Sequence, residues 1–173
     1  RDQFCEEAGR QIMNLIRIGL RPRDIVTRKA LENAAVIVAA SGGSTNAGLH
    51  LPALAHEAGI EFNLMDVCEV FRRTPYIADL KPGGRYVAKD LYDVGGIPVL
   101  MKALLDGGHL HGDCMTVTGK TVAENLKDVI FPTNQDVVLS AKTPLSPTGG
   151  VVGLNGNLAP DGAIVKVAGC KHL

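Results

Sequence analysis

Apolar side chains recur every three or four positions through much of the first part of the chain, which is the spacing of one face of a helix. This pattern predicts helices over residues 4–18, from a cap at Thr27 or Asp24 to residue 40, over 47–58 and over 97–105. Gly19 and Gly59 are predicted to end the first and third of them, because glycine is common just past a helix end. Residues 34–40 are apolar throughout, so a buried helix is predicted there, with a strand as the alternative.

Shorter elements are predicted from capping residues and from local apolar runs. Asp66 is placed to cap a helix that continues through Phe71. Thr121 and Glu124, three residues apart, match the capping box that opens a helix. Residues 115–117 are predicted to form a short strand.

The pattern changes after residue 127. A proline-punctuated stretch is followed by two short apolar runs on either side of residues 159–162, Ala-Pro-Asp-Gly, which predicts a strand, a turn and a second strand. The predicted fold class is therefore α/β. Residues 1–131 form a helix-rich α/β part, residues 132–146 a linker, and residues 147–173 the start of an all-β part.

Charge and composition limit the function classes. The 18 basic residues balance the 18 acidic ones, so no net field favours nucleic acid or an anionic membrane surface. We expect neither as a partner, and the absence of a long apolar run or a signal peptide pattern predicts a cytoplasmic protein. The chain begins without methionine and ends directly after an apolar alternating run, so we expect both ends to be cut.

The four cysteines, Cys5, Cys68, Cys114 and Cys170, stand far apart and contain no CxxC pair. We therefore expect reduced thiols, and neither a self-contained metal site nor a disulfide framework.

The stretch SGGSTNAGLHL begins just before the helix predicted over residues 47–58. Free backbone amides and the positive end of the helix dipole favour an anionic group at such a position, and a carboxylate or a phosphate fits. The candidate binding residues are Gly42, Gly43, Ser44, Thr45 and Asn46. The alternative is structural: one of the polar residues caps the helix, while the glycines allow two backbones to pack closely. The lysine of a P-loop is missing, so a nucleotide is not implied.

A second candidate is the stretch HLHGDC, residues 109–114. In an extended segment, His109, His111 and Asp113 point to one side, as a metal site or an acid/base site requires. The alternative is a surface loop in which Asp113 accepts hydrogen bonds from nearby amides. Cys114 adjoins the apolar residues 115–117 and is expected to be buried rather than nucleophilic.

Three long stretches together resemble the dihydroxy-acid and sugar-acid dehydratase family. They are GGSTNAGLHLPALAHEAGI, ADLKPGGRYVAKDLYDVGGIPVLMKALLDGGHLHGDCMTVTGKTVAENL and GGVVGLNGNLAPDGAIVKVAG. The resemblance implies an N-terminal α/β domain followed by a β-barrel-like domain, with the active site between them. It also implies a homodimer or larger homo-oligomer that acts on a small hydroxy acid.

The activity implied by the resemblance is loss of water from a 2,3-dihydroxy carboxylic acid to give a 2-keto acid, as in branched-chain amino acid biosynthesis. The alternatives are dehydration of a sugar acid (arabinonate, xylonate or 6-phosphogluconate) and a non-catalytic scaffold remnant. The family uses an iron–sulfur cluster and Mg²⁺, whose ligands are expected outside this segment, as is the catalytic base. The segment is thus expected to supply no metal ligand and no catalytic residue, but a substrate-binding loop at residues 42–46. His111, Asp113 and Cys114 are secondary candidates.

Overall fold

A computed structural model describes residues 2–170 of the chain. Helices hold far more of these residues than strands do, and the only sheet among them is a small antiparallel hairpin, which is consistent with the α/β class. The elements are α1 Asp2–Ile18, α2 Pro22–Ile25, α3 Arg28–Ala40, α4 Ala47–Ala58, α5 Leu64–Arg73, α6 Ala88–Asp93, α7 Gly96–Asp106, α8 Val122–Leu126, β1 Val151–Gly156 and β2 Ala159–Lys166.

Helix α3 lies at the centre and packs against α4 and α5. Its alanines Ala35, Ala39 and Ala40 are fully buried, and their small side chains let neighbouring backbones approach closely. Phe71 of α5 and Leu100 of α7 fill the same core. Residues 34–40 are therefore helical rather than a strand. They are apolar throughout because the central helix packs against neighbours on more than one side.

The predicted helices are present, with two corrections nearby. Helix α5 is capped by Asn63, whose side chain accepts from two amides, while Asp66 completes the capping box by accepting from the Asn63 amide at 2.8 Å. The strand expected at residues 115–117 is reduced to a single bridge between Met115 and Thr121, because the chain turns back at once to begin α8.

An extended segment at residues 76–80 crosses the end of α3. The amides of Ile77 and Ala78 both donate to the carbonyl of Ala40, at 3.0 and 2.9 Å. Residues 132–146, the predicted linker, run beside this segment, with Val138 fully buried and bridged to Ala78. The division of the chain into two domains stays a prediction.

The hairpin pairs Val151 with Lys166 and narrows to Gly156 opposite Ala159. The chain therefore reverses at residues 157–158, and the turn predicted at residues 159–162 was placed too late. Pro160 is tolerated inside β2 because a two-stranded sheet leaves one side of each strand without a partner. Only this hairpin is seen among residues 147–170, so a barrel-like domain is not shown.

Helix α1 stands apart from this core. Leu15 is its only buried residue, while Ile12, Met13 and Ile16 are exposed. An apolar groove of about 500 Å³ runs between α1 and α2. Within the described part of the chain, no helix has both the length and the apolar character needed to cross a membrane.

Candidate functional site

The loop between α3 and α4, residues 41–46, is called the glycine loop. Its first half terminates α3. Gly42 adopts a left-handed conformation with φ of 64°, its amide donates to the carbonyl of Ala39 at 3.3 Å, and the amide of Gly43 donates to the carbonyl of Val38 at 2.9 Å. This is the Schellman arrangement that closes many helices. The amides of Gly42 and Gly43 are therefore engaged within the protein.

Both glycines are also required by space. A Cβ atom at Gly43 would lie 2.7 Å from the Val38 carbonyl oxygen, and one at Gly42 would lie 2.9 Å from the ring of Tyr76. Gly42 also lies against Gly150, just before β1. The glycine loop is thus fixed from both sides by close backbone contacts.

The second half of the loop opens α4. The Ser44 hydroxyl accepts from the Asn46 amide at 3.2 Å, while the carbonyls of Ser44 and Thr45 accept from Ala47 at 3.2 Å and Gly48 at 3.0 Å. The amides of Ser44 and Thr45 donate to no protein group within residues 2–170. Two backbone donors are therefore free at the positive end of α4, where the polar side chains of Ser44 and Asn46 are exposed.

Lys166, at the end of β2, reaches the glycine loop. Its Nζ donates to the carbonyl of Gly43 at 2.7 Å. The side chain is partly buried, and no carboxylate of residues 2–170 forms an ion pair with it. The hairpin is held nearby, because the amides of Val167 and Ala168 both donate to Gly150. Sequence reasoning missed Lys166, since no local spacing signals a contact across 123 residues.

Tyr76 lies under the same loop. Its side chain is buried, and its hydroxyl has no hydrogen-bond partner among the described residues. Burial raises the pKa of this hydroxyl, and the charge of Asp79 adds to the effect. Nothing in the local sequence indicates that this tyrosine rather than another would meet Gly42.

Residues 109–114, the histidine loop, are held by the first turns of α3. The His111 ring nitrogen Nε2 donates to a carboxylate oxygen of Glu32 at 2.7 Å. Its backbone amide donates to the Asn33 side chain at 2.8 Å, and the Asn33 amide group donates back to the His111 carbonyl at 3.0 Å. Sequence reasoning missed Glu32 and Asn33, although two polar residues that directly precede the apolar run at residues 34–40 are a signal for buried partners.

The polar side chains of the histidine loop do not all meet at one point, because Asp113 and Cys114 lie apart from the two histidines. Asp113 is exposed and pairs with Lys29 at 2.6 Å. Cys114 is buried near Val122, and burial raises the pKa of its thiol, with a further contribution from Asp113. His109 and His111 both line a cavity of about 100 Å³, and burial lowers the pKa of His109, with the charge of Arg73 adding to the effect.

The described residues do not fit an iron–sulfur cluster or Mg²⁺. Within residues 2–170, no three His, Cys, Asp or Glu side chains lie close enough together to hold a metal ion. Cys5 and Cys170 are exposed, whereas Cys68 and Cys114 are buried in different places. Cluster ligation requires several thiolates at one point, and these four cysteines do not provide it.

Family models and curated relatives both match this chain. The model of the dihydroxy-acid/6-phosphogluconate dehydratase N-terminal domain matches residues 1–125, and that of the C-terminal domain matches residues 136–173. "Dihydroxy-acid dehydratase 2" of Bradyrhizobium diazoefficiens is 70% identical over all of this chain, which covers 30% of that protein. "Dihydroxy-acid dehydratase" of Parvibaculum lavamentivorans is 69% identical over 99% of the chain, again covering 30% of the relative. The chain thus spans about 30% of the length of the relatives that it matches.

Proposed function

Because the chain belongs to the dihydroxy-acid/6-phosphogluconate dehydratase family, we propose that it is part of a hydro-lyase. The reaction is the loss of water from a 2,3-dihydroxy carboxylic acid to give a 2-keto acid, in branched-chain amino acid biosynthesis. The names and identities of the relatives support this choice over a sugar-acid dehydratase. The substrate is a small anionic molecule.

The role of this segment is to bind the substrate carboxylate at the glycine loop. The observation that carries this assignment is the pair of amides at Ser44 and Thr45, which lie at the positive end of α4 and donate to no group of the described chain. Gly42 and Gly43 contribute by setting the turn, and the exposed Asn46 lies beside it. The two backbone amides orient a carboxylate bound here and offset part of its negative charge.

His111, Asp113 and Cys114 stay secondary candidates. Each already contacts other parts of the chain, so their contribution is to hold the histidine loop in place. We place the ligands of the iron–sulfur cluster and Mg²⁺ outside this segment, because the described residues gather no suitable donor set. Bound there, these cofactors would supply Lewis-acid assistance to the departure of a hydroxyl group.

The proposal extends to the architecture of the whole protein. The hairpin is the first part of a β-barrel-like domain, and the active site lies between that domain and the helical one. The protein is a cytoplasmic homo-oligomer. The exposed apolar side chains of α1 support a protein–protein contact, since exposed apolar patches usually mark such surfaces.

A chimera tests the proposed activity. Residues 1–173 replace the matching segment of the Bradyrhizobium relative, and the purified protein is assayed with 2,3-dihydroxyisovalerate, arabinonate, xylonate and 6-phosphogluconate. We expect turnover of dihydroxyisovalerate at a rate close to that of the parent relative, which is the control. Preference for a sugar acid would favour the alternative substrate class, and a folded, cofactor-loaded but inactive chimera would favour a scaffold without catalytic function.

A pair of substitutions in the chimera tests the glycine loop. Thr45→Pro removes the free backbone donor, whereas Thr45→Ala removes the hydroxyl and keeps the donor. Loss of one hydrogen bond to a charged group is expected to raise KM about tenfold or more in the proline variant. The alanine variant is expected to stay close to the parent. If both variants are folded by circular dichroism and have equal KM values, the substrate carboxylate does not bind at this loop.

A further inference from the structure

We propose that Lys166 is a positioning residue of the carboxylate site, acting through the peptide between Gly43 and Ser44. The inference rests on the function proposed above and assigns the hairpin a direct part in substrate recognition. Its basis is the bond from Lys166 Nζ to the Gly43 carbonyl oxygen, at 2.7 Å. The same peptide carries the free amide of Ser44.

The carbonyl and the N–H of a trans peptide point in opposite directions. A cation on the carbonyl oxygen of Gly43 therefore pulls electron density away from the Ser44 N–H and makes it a stronger donor, as in a chain of cooperative hydrogen bonds. The bond also fixes the rotation of the peptide plane, so the Ser44 amide keeps one direction. Lys166 thus affects the ligand without touching it.

The charge of Lys166 has a second effect. The glycine loop lies between the negative C-terminal end of α3 and the positive N-terminal end of α4. The negative end repels a bound acid, and an ammonium group at Gly43 offsets it. Since no carboxylate among residues 2–170 forms an ion pair with Lys166, its charge is not cancelled by a neighbour.

An independent observation also indicates a ligand here. The Tyr76 side chain is only 8% exposed, its hydroxyl has no partner among the described residues, and its ring lies against Gly42. A buried hydroxyl without a partner is costly and therefore rare in folded proteins. A bound acid is the partner that the described residues do not supply, so Tyr76 is assigned as the donor that faces the loop from inside.

Substitutions of Lys166 in the chimera test the first part of this inference. Lys166→Met removes the cation, Lys166→Arg retains it, and Lys142→Met is the matched control, because Lys142 is exposed and has no ion pair within the described residues. We expect Lys166→Met to raise KM about tenfold and to weaken binding of the 2-keto acid product equally, measured by calorimetry, with kcat nearly unchanged. Lys166→Arg is expected to recover most of the loss.

Tyr76→Phe tests the second part through two measurements, because acid binding should fall while thermal stability should not. Removing an unpaired buried hydroxyl should leave the thermal midpoint unchanged or raise it. Binding of the 2-keto acid should nevertheless weaken several-fold, since the acid loses a donor. Unchanged acid binding in the phenylalanine variant would overturn the role of Tyr76.

The outcomes separate this inference from the proposed function. An active chimera in which Lys166→Met behaves like Lys142→Met overturns the role of Lys166 and leaves the proposed function intact. An unsubstituted chimera that neither reacts with nor binds the acid overturns both. Should Lys166→Met fail to fold, Lys166→Gln decides, because glutamine keeps a donor for Gly43 without the charge, and a parental KM then rejects the electrostatic role.

Discussion

The glycine loop and the histidine loop flank the same central helix, α3, and they use their polar groups in opposite ways. The histidine loop carries two histidines, an aspartate and a cysteine, yet His111 contacts Glu32, Asp113 contacts Lys29, and Cys114 is buried. The glycine loop has no charged residue. It nevertheless presents two backbone donors, at Ser44 and Thr45, that have no partner among residues 2–170.

The difference shows that reactive side chains and available donors are separate properties. A group that already has a good partner must lose it before it can bind a ligand, and that loss reduces the net affinity. Free amides on a loop fixed by Gly42 and Gly43 carry no such cost. The loop with fewer functional side chains is therefore the better candidate for binding an anion.

The largest expected effect comes from Gly43→Ala, which disturbs the close backbone contacts that fix the glycine loop. The new Cβ would lie 2.7 Å from the Val38 carbonyl oxygen, and backbone cannot move aside easily. We expect a loss of about 1–3 kcal/mol in stability, together with a higher KM in the chimera, because the Ser44 amide is displaced. Thermal unfolding and steady-state kinetics measure the two effects.

The control is Gly9→Ala in α1, where the new Cβ would meet nothing within 4 Å apart from its chain neighbours and the backbone of its own helix. Replacing glycine by alanine in a helix interior should raise the free energy of unfolding by about 0.5–1 kcal/mol. If Gly43→Ala is tolerated as well as Gly9→Ala, the glycine loop is not fixed in the way described.

The next effect is expected in the histidine loop. Asn33→Ala removes both hydrogen bonds to the backbone of His111, at 2.8 and 3.0 Å. At about 1 kcal/mol for each bond, we expect a loss of about 2 kcal/mol in stability with an unchanged KM. Asn33→Asp is the matched control, because it keeps the acceptor for the His111 amide and loses only the donor. A KM that rises without loss of stability would give the histidine loop a direct role in binding.

A smaller, pH-dependent effect is expected from Glu32. Burial alone raises the pKa of its carboxyl group, but the His111 hydrogen bond and the charges of Arg73 and Arg28 lower it overall from its ordinary value of 4.5. A lowered folded pKa means that the stabilisation is complete above the unfolded pKa and is lost as the pH falls through the folded one. The difference in thermal midpoint between the parent chimera and Glu32→Gln should therefore shrink below pH 4.5. A difference that grows on acidification would contradict this.

Most of the helical fold follows from sequence, because its determinants are local. The apolar period, the Thr27 cap and the glycines after α1 and α4 act within a few residues, and the predicted helices are present. The predicted position of the hairpin turn was wrong. The Pro-Asp-Gly signal at residues 160–162 is a strong local one, but the pairing of Gly156 with Ala159 sets the reversal.

The candidate site could likewise be predicted from the sequence only in part. The glycine-rich stretch at a helix start is visible in the sequence, since capping and dipole effects are local. Which amides stay free is not visible, because it depends on the hydrogen bonds that end α3. Lys166 and Tyr76 meet the loop only through tertiary packing, so no spacing rule could have identified them.

The smallest expected effect belongs to Asp113→Asn, and it tests the histidine loop most directly. The pair with Lys29 is 2.6 Å long, but both side chains are more than half exposed, so water and salt screen the attraction. We expect a change of at most about 0.5 kcal/mol in stability and no change in kcat. Asp106→Asn, which breaks the similarly short pair with Lys102, is the control. If Asp113 acted as a general acid or base, kcat would fall about a hundredfold or more, and only in the Asp113 variant. That result would move the chemistry of this segment from the glycine loop to the histidine loop, because a surface ion pair cannot produce such a loss.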